Sequence, residues 1–349
     1  MSRLPHRLRP PRLGPRPADP PGRLRTRSRG WLAAAWLFAA AAVQAEPGLA
    51  LITNQGSHDV SVIDLATLRV RATVAVGQGP AGIAVSPQGD RAYVSNPGSD
   101  EVVALDLRTL QVVARVKAGG GAVGLAVSPD GRSVYLADWF GGRLLVLEAS
   151  TLAERWALPL GRAPAGVAVH PDGHSVYVVE RDEDRVSVID PVRRSVRAQA
   201  AVGAHPFALT HDPQRERLYV LNVYGDSVSV LDARSLAPLG TVAVGKRPYS
   251  AALADGGRRL YVSNQGSDSV SVIDPDTLRV IDTLPGFGYP EGVATLGRQV
   301  LVVNWMDDNV TVLDGASGRT LATLPVGSNP RGFGAFTGVP RAGPDPTRP

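Results

Sequence analysis

Arg91-Ala92-Tyr93-Val94-Ser95-Asn96, a turn at Pro97-Gly98-Ser99-Asp100, then Glu101-Val102-Val103-Ala104-Leu105-Asp106 is a passage the chain writes again 42 residues later. There it reads Ser133-Val134-Tyr135-Leu136-Ala137-Asp138 and runs on to Glu148. Copies open at Ala50, Ala92, Val134, Val176, Leu218 and Leu260, and a last one, after a spacing two residues shorter, opens at Val300. Tyr93, Tyr135, Tyr177, Tyr219 and Tyr261 fall in register, as do Asp64, Asp106, Glu148, Asp190, Asp232 and Asp274. A period of about 40–45 residues made of short strands is the signature of a propeller blade.

Within one copy, Gly82–Val85 is a short apolar run closed by the turn Ser86-Pro87-Gln88-Gly89. Arg91–Ser95, Glu101–Leu105 and Val112–Lys117 follow as further alternating runs with turn residues between them. Strands of this length with a turn every 8–12 residues predict an all-β fold. Repeated radially, they predict a seven-bladed propeller of four-stranded antiparallel blades over residues 46–338. The run Leu49–Thr53 matches the second strand of a copy, and Arg331–Phe336 matches the first. The last strand is therefore expected to pair with the first and complete one mixed blade, which removes a free edge. Architecture accounts for most repeated residues. The tyrosines pack between blades, the acids open Asx-type turns, and Gly82, Gly124, Gly166 and Gly292 stand where inner strands crowd the axis.

Tyr93-Val94-Ser95-Asn96, Tyr261-Val262-Ser263-Asn264, Ser269-Val270-Ser271-Val272-Ile273-Asp274, Asp276-Thr277-Leu278 and the stretch Pro80-x-Gly82-x-Ala84-Val85-Ser86-Pro87 resemble the YVTN family of bacterial β-propeller repeats. The resemblance covers residues 49–338 and implies a seven-bladed, exported, YncE-like protein. The wider group includes surface-layer repeats, amine dehydrogenase heavy chains, lactonase-like propellers and haem d1 domains. The shared motif is scaffold, so it brings no relative's functional residues with it.

Residues 1–45 read as a signal peptide: nine arginines from Arg3 to Arg29, an apolar run from Trp31 to Val43, then Val43-Gln44-Ala45 before Glu46-Pro47. Cleavage is expected after Ala45, giving a periplasmic or secreted protein with no transmembrane span. Residues 339–349, rich in Pro, Gly and Arg, read as a disordered tail. The full chain carries +5, but the leader holds nine Arg and one Asp, so the remaining 28 basic and 31 acidic residues sum to −3. That balance argues against nucleic acid as a partner. The chain has no cysteine, which excludes covalent c-type haem, cysteine zinc sites and a thiol nucleophile. A monomer is expected, with an unidentified small molecule or periplasmic protein as its partner.

In a repeat protein, information about function lies where one copy departs from its siblings. Two sets of turns open on one face: those after the second strands, and those leading into the inner strands. Bulky or charged residues replace Gly, Ser or Ala there. The candidate ligand-binding residues are Trp139, Glu180, His205, Arg247, Tyr249, Tyr289, Glu291, Trp305 and Arg331; Phe140, Arg181, Asp182, Phe207, Tyr224, Lys246, Phe287 and Met306 are further irregular residues of the same face. Such a set suits a concave aromatic site with a few polar anchors. No catalytic cluster and no metal site stand out. His170 and His174 have i, i+4 spacing but flank the tight turn Pro171-Asp172-Gly173, which reads as solvated. Gly77-x-Gly79-x-x-Gly82 lies between strands with no helix after it, and Glu180-x-Asp182-x-Asp184 lacks the rest of a calcium loop. The leading expectation is a non-catalytic ligand- or partner-binding scaffold. One alternative is a lactonase-like hydrolase using Glu180, His205, Arg247 and Arg331. The other is a carrier of a non-covalent redox cofactor, with His205 on a haem of the d1 type or Trp139 and Trp305 stacking a quinone.

Overall fold

The computed structural model of the protein describes residues 48–119 and 121–340. The expected signal peptide, Gly120 and residues 341–349 of the expected tail lie outside the described residues. No helix among them is long and apolar enough to cross a membrane.

The described chain forms seven four-stranded antiparallel sheets, six of them traversed from the innermost strand outward. In the blade quoted above the strands are Ile83–Val85, Arg91–Asn96, Glu101–Asp106 and Gln111–Lys117. Burial follows from position. Leu49–Asn54 and Ser133–Asp138, both second strands, are buried at every residue because neighbouring blades cover both of their faces. Gln111–Lys117, an outer strand, alternates exposed and half-covered residues, since one face meets solvent. Each blade also carries a register shift at one place between its third and outer strands, as at Val62/Ile63, Ala104/Leu105 and Val230/Leu231. A bulge there bends and twists the outer strand, and the alternation pattern of the sequence gives no hint of it.

The first blade is mixed. Its innermost strand, Thr337–Gly338, comes from the far end of the chain and pairs with Ala50 and Leu49. The preceding run, Arg331–Phe336, divides its hydrogen bonds among three blades, Gly292 N of the last blade donating to Arg331 O (3.0 Å). Arg331 N donates to Thr53 O (2.8 Å) and Leu51 N to Phe336 O (2.9 Å), whereas Ile83 N and Val85 N of the next blade donate to Phe333 O (2.8 Å) and Ala335 O (2.9 Å). The regular strand is thus shorter and later than the alternation suggests. Val339, where the expected tail begins, still packs, since a Cβ on Gly89 would lie 1.9 Å from its carbonyl oxygen.

The repeated residues tie neighbouring blades together. Tyr93, Tyr177 and Tyr261 are buried, and their hydroxyls donate to Ala149 O (2.9 Å), Ala233 O (3.0 Å) and Gly315 O (3.0 Å) in the following blades. Burial pushes the Tyr177 phenol up to about 12. Asp106 Oδ1 accepts from the backbone N–H groups of Thr109 (2.7 Å) and Arg108 (3.0 Å), and the Thr109 bond first of all holds its carboxyl below the usual range. Near the axis, a Cβ on Gly82 would meet Val123 O at 2.0 Å, and one on Gly124 would meet Ala165 O at 2.1 Å. No side chain fits between these inner strands.

Candidate functional site

The face where the second strands end holds a cavity of about 500 Å³. Two positions of the repeat build most of its wall. One directly follows the second strand and contributes Trp139, Arg181, Val223, Gln265 and Trp305. The other follows the proline that opens the inner strand and contributes Phe207, Tyr249, Glu291 and Arg331. Tyr289 and Met306 complete the lining. At the second position the remaining blades carry only Ala81, Val123 and Ala165, so the cavity is walled by large side chains on one side of the ring. The aromatic rings pack on one another: Phe207 lies 4.6 Å from Tyr249 and 6.0 Å from Trp139, and Tyr289 lies 5.6 Å from Trp305, between ring centroids. Below them Phe333, from the closing run, sits 4.9 Å from Phe207 and 5.7 Å from Tyr249. Phe333 also lines a second cavity of about 710 Å³ on the opposite face. These three rings stand between the two cavities.

Polar groups on the upper wall are incompletely paired. Glu291 is 1% exposed; Gln265 Nε2 donates to its Oε1 (2.8 Å), while its Oε2 has no hydrogen-bond partner and lies 3.6 Å from Arg331 Nε. Burial, only partly opposed by Arg331 and Gln265, pushes the Glu291 carboxyl up to about 7. Tyr249 is 6% exposed, its hydroxyl has no partner, and burial raises its pKa so far that it keeps its proton. Trp305 Nε1 is likewise buried without a partner. Five further unpaired acceptors, Oδ1 of Asn54, Asn96, Asn222, Asn264 and Asn304, share one position of the repeat and belong to the scaffold. Of the three on the cavity, Tyr249 and Glu291 each occur in one blade at their position, whereas Trp305 shares its position with Trp139. The Arg181 guanidinium lies over the Trp139 ring at 5.5 Å and the Tyr224 ring at 5.3 Å.

Six of the nine candidates from the sequence therefore share this cavity: Trp139, Tyr249, Tyr289, Glu291, Trp305 and Arg331. Glu180, His205 and Arg247 are not among its lining residues; the scaffold accounts for the Glu180 side chain and for the backbone of His205 and Arg247, while His205 Nδ1 is buried without a hydrogen-bond partner. Glu180 is fully buried at the strand-end position that Asn222 and Asn264 occupy in other blades. Those asparagines donate to serines of the third strand; Glu180 instead accepts from Arg185 Nη2 (2.6 Å), Ser187 Oγ and Gly161 N (2.7 Å), so its carboxylate is fully engaged. His205 and Arg247 occupy a left-handed position, φ 51° and 53°, that Ala163 and Gly79 fill elsewhere at 51° and 58°. Their backbone N–H groups donate to Asp184 (2.7 Å) and Asp226 (2.9 Å) in the preceding blade. The His205 ring packs 4.7 Å from Tyr224. Asp182 pairs with Arg181, so the carboxylates of Glu180, Asp182 and Asp184 are each used separately. Five lining residues lie outside the nine candidates: Arg181, Phe207 and Met306, which were irregular by type, and Val223 and Gln265, which look ordinary. The signal for the last two is their position directly after the second strand, shared with Trp139 and Trp305.

With unspent donors at Tyr249 and Trp305, cations at Arg181 and Arg331, and flat rings around them, the cavity is chemically matched to a planar ligand carrying an acceptor or anionic group. No histidine lines it. An iron held through His205 does not fit this geometry, and the hydrolytic set Glu180, His205, Arg247 and Arg331 does not converge on the cavity. On the opposite face His170 is buried rather than solvated, and it contacts Asp172 and Glu216; His174 joins only through its backbone N–H, which donates to Asp172 Oδ1 (2.8 Å).

A family profile for YNCE-like beta-propellers matches residues 241–341, and one for the cytochrome D1 heme domain matches residues 46–160. No curated protein matches the chain. Among solved structures, the hydrazine synthase of Kuenenia stuttgartiensis superposes with a TM-score of 0.70 at 21% identity, covering 76% of this chain and 92% of that one. The dihydro-heme d1 dehydrogenase NirN in complex with DHE superposes with a TM-score of 0.64 at 19% identity, covering 83% and 75%. A functionally unknown protein from Desulfotomaculum acetoxidans gives 0.70 at 14% identity, covering 82% and 99%. At these identities the structures show the fold alone. Taken with the seven in-register repeats and the profile match over the final blades, they lead to one conclusion: the chain is a YncE-like seven-bladed β-propeller protein.

Proposed function

We propose that this protein is an exported, periplasmic binding scaffold that takes a planar ligand bearing a carboxylate or similar acceptor in the upper-face cavity, without catalysing its conversion. One observation carries the reading. Tyr249 OH, Glu291 Oε2 and Trp305 Nε1 are buried, have no hydrogen-bond partner, and all stand on the wall of one cavity. A buried polar group without a partner costs about 1–3 kcal/mol, and a ligand that supplies the missing bonds recovers that cost. Export is supported by the basic, then apolar, then small-residue order of residues 1–45.

The test is a thermal-shift and calorimetric screen of the purified chain with aromatic mono- and dicarboxylates. A saturable ligand is expected, with affinity falling at least about tenfold in Arg331→Gln and in Trp305→Ala, the scale of one lost charge-assisted hydrogen bond or stacked ring. Stabilisation by no aromatic carboxylate, or binding indifferent to both substitutions, refutes the reading. Measured turnover of the bound compound refutes its non-catalytic part. A second reading, a planar redox cofactor such as a quinone held by stacking, is favoured by Trp139 and Trp305 on the same wall. A haem held without an axial histidine belongs to this reading too, supported by the cytochrome D1 profile match. Titration with a soluble quinone and with haem, followed by absorbance, separates these from the first.

A further inference from the structure

On the opposite face, three residues that depart from the repeat meet between two blades. His211, in the inner strand Pro206–Asp212, stands where other blades have Val85, Val127 and Val169. His170, just past the inner strand Pro164–Val169, stands where others have Ser86 and Ser128. Glu216 lies in the turn before the strand Arg217–Asn222. One ligand atom from each falls within 4.8 Å of the other two. His170 Nε2 is 3.1 Å from Glu216 Oε2, and the two imidazole rings are 4.8 Å apart. His211 Nε2 is buried and has no hydrogen-bond partner.

A histidine that only packs loses nothing by being valine, and one that only bonds uses its buried nitrogen. His211 packs against Tyr177 and His170, yet its buried Nε2 bonds to nothing. We propose that His170 Nε2, His211 Nε2 and a Glu216 carboxylate oxygen form a binding site for a divalent transition-metal ion of the zinc class. Two imidazoles and a carboxylate are a ligand set that zinc accepts, and ligands about 2.0–2.1 Å from a tetrahedral zinc lie about 3.4 Å from one another. The His170–Glu216 separation already meets that spacing. His170 Nδ1 accepts from the Asp172 backbone N–H (3.2 Å) and lies 2.8 Å from Asp172 Oδ1, an outer contact that fixes the imidazole with Nε2 turned toward Glu216. Arg234, 74% exposed at its side chain, lies 3.2 Å from Glu216 Oε2 and must share that carboxylate or swing into solvent. Three protein ligands leave a fourth position open, and His211 also lines the lower cavity.

The experiment uses the full chain without a histidine tag, stripped with chelator and titrated with Zn²⁺ by calorimetry, with Co²⁺ as an optical reporter of tetrahedral geometry. One saturable ion per chain is expected. His211→Val and His170→Ser restore residues that sibling blades already carry, so both variants should keep the fold, as checked by circular dichroism. Each should bind Zn²⁺ more than about 100-fold more weakly, beyond the about 10–100-fold that loss of an outer partner costs. Asp172→Asn should fall within that smaller range, and His174→Ala should bind as the parent does. Absence of stoichiometric uptake by the parent, unchanged affinity in His211→Val, or a loss in His174→Ala as large as in His211→Val would each overturn the assignment.

Discussion

Replacing Glu291 by glutamine should change how stability depends on pH, by an amount that the burial of one carboxyl sets. The side chain is 1% exposed, and its pKa rises from 4.5 to about 7 in the folded protein. Between those values the folded chain holds a proton that the unfolded chain has released. Stability therefore falls as pH rises through this window. At about 1.4 kcal/mol per pH unit, the carboxyl contributes its full effect below about pH 4.5 and has cost the fold about 3 kcal/mol by pH 8. Glutamine does not ionise. It keeps an acceptor for Gln265 Nε2, and Arg331 keeps its bond to Gln55 Oε1 at 3.0 Å. Urea unfolding of parent and Glu291→Gln in parallel, followed by tryptophan fluorescence from pH 4.5 to 8.5, isolates this group, because every other titration is common to both proteins. The variant should match the parent to within about 1 kcal/mol at pH 4.5 and exceed it by about 2–3 kcal/mol at pH 8, after some loss of Arg331 attraction. A difference that stays flat across the range would refute the claim that Glu291 is neutral in the folded protein near pH 6, and with it the view of this wall as short of a hydrogen-bonding partner.

Three further outcomes follow from the scaffold. Gly82→Ala should cost about 2–4 kcal/mol of unfolding free energy, because its Cβ would stand 2.0 Å from a backbone oxygen in the next inner strand that cannot move alone; Gly173→Ala, with nothing within 4 Å but φ +73°, should cost only about 1–2 kcal/mol. Tyr93→Phe should lower stability by about 0.5–1.5 kcal/mol, since it removes the buried donor to Ala149 O and leaves only Arg91 Nη1 (3.2 Å) on that oxygen, and hydrogen exchange should rise at the interface of those two blades before it rises elsewhere. Arg247→Gly should leave stability within about 1 kcal/mol of the parent, because Gly79 holds the same left-handed position in another blade; it should also leave ligand binding in the upper cavity unchanged, as measured by calorimetry.

The 42-residue period made the blades legible because each blade is fixed by local means: alternation, turn residues and an acid that closes its own turn. The site was legible only in part, and the reason is visible in particular residues. His205 and Arg247 look exceptional by type, yet the repeat uses their position for its backbone. The position needs a left-handed residue, and Ala163 meets that demand at the same φ; in the His205 and Arg247 blades the N–H also reaches an aspartate of the preceding blade. Glu180 looks like a base, but it closes a strand end that asparagine closes elsewhere. Val223 and Gln265 look ordinary, and both stand on the cavity wall.

Residue type alone therefore ranks such candidates poorly, whereas position within the repeat ranks them well. Sorting each departure by position gathers Trp139, Arg181, Val223, Gln265 and Trp305 in one column and Phe207, Tyr249, Glu291 and Arg331 in another, with few strays. The same sorting brings out His211 on the opposite face, where the column otherwise holds Val85, Val127, Val169, Leu253, Thr295 and Thr337. A polar residue in an apolar column must bring its own partner or lack one. Glu291 stands in a column that holds Ala81, Val123 and Ala165 in three other blades, His211 in one that holds valine in three, and each is left with a buried atom unpaired. In a ring whose other blades show that a small or apolar residue suffices at those places, the unpaired atom is not needed by the fold. That is the physical ground for seeking a ligand at one and a metal ion at the other.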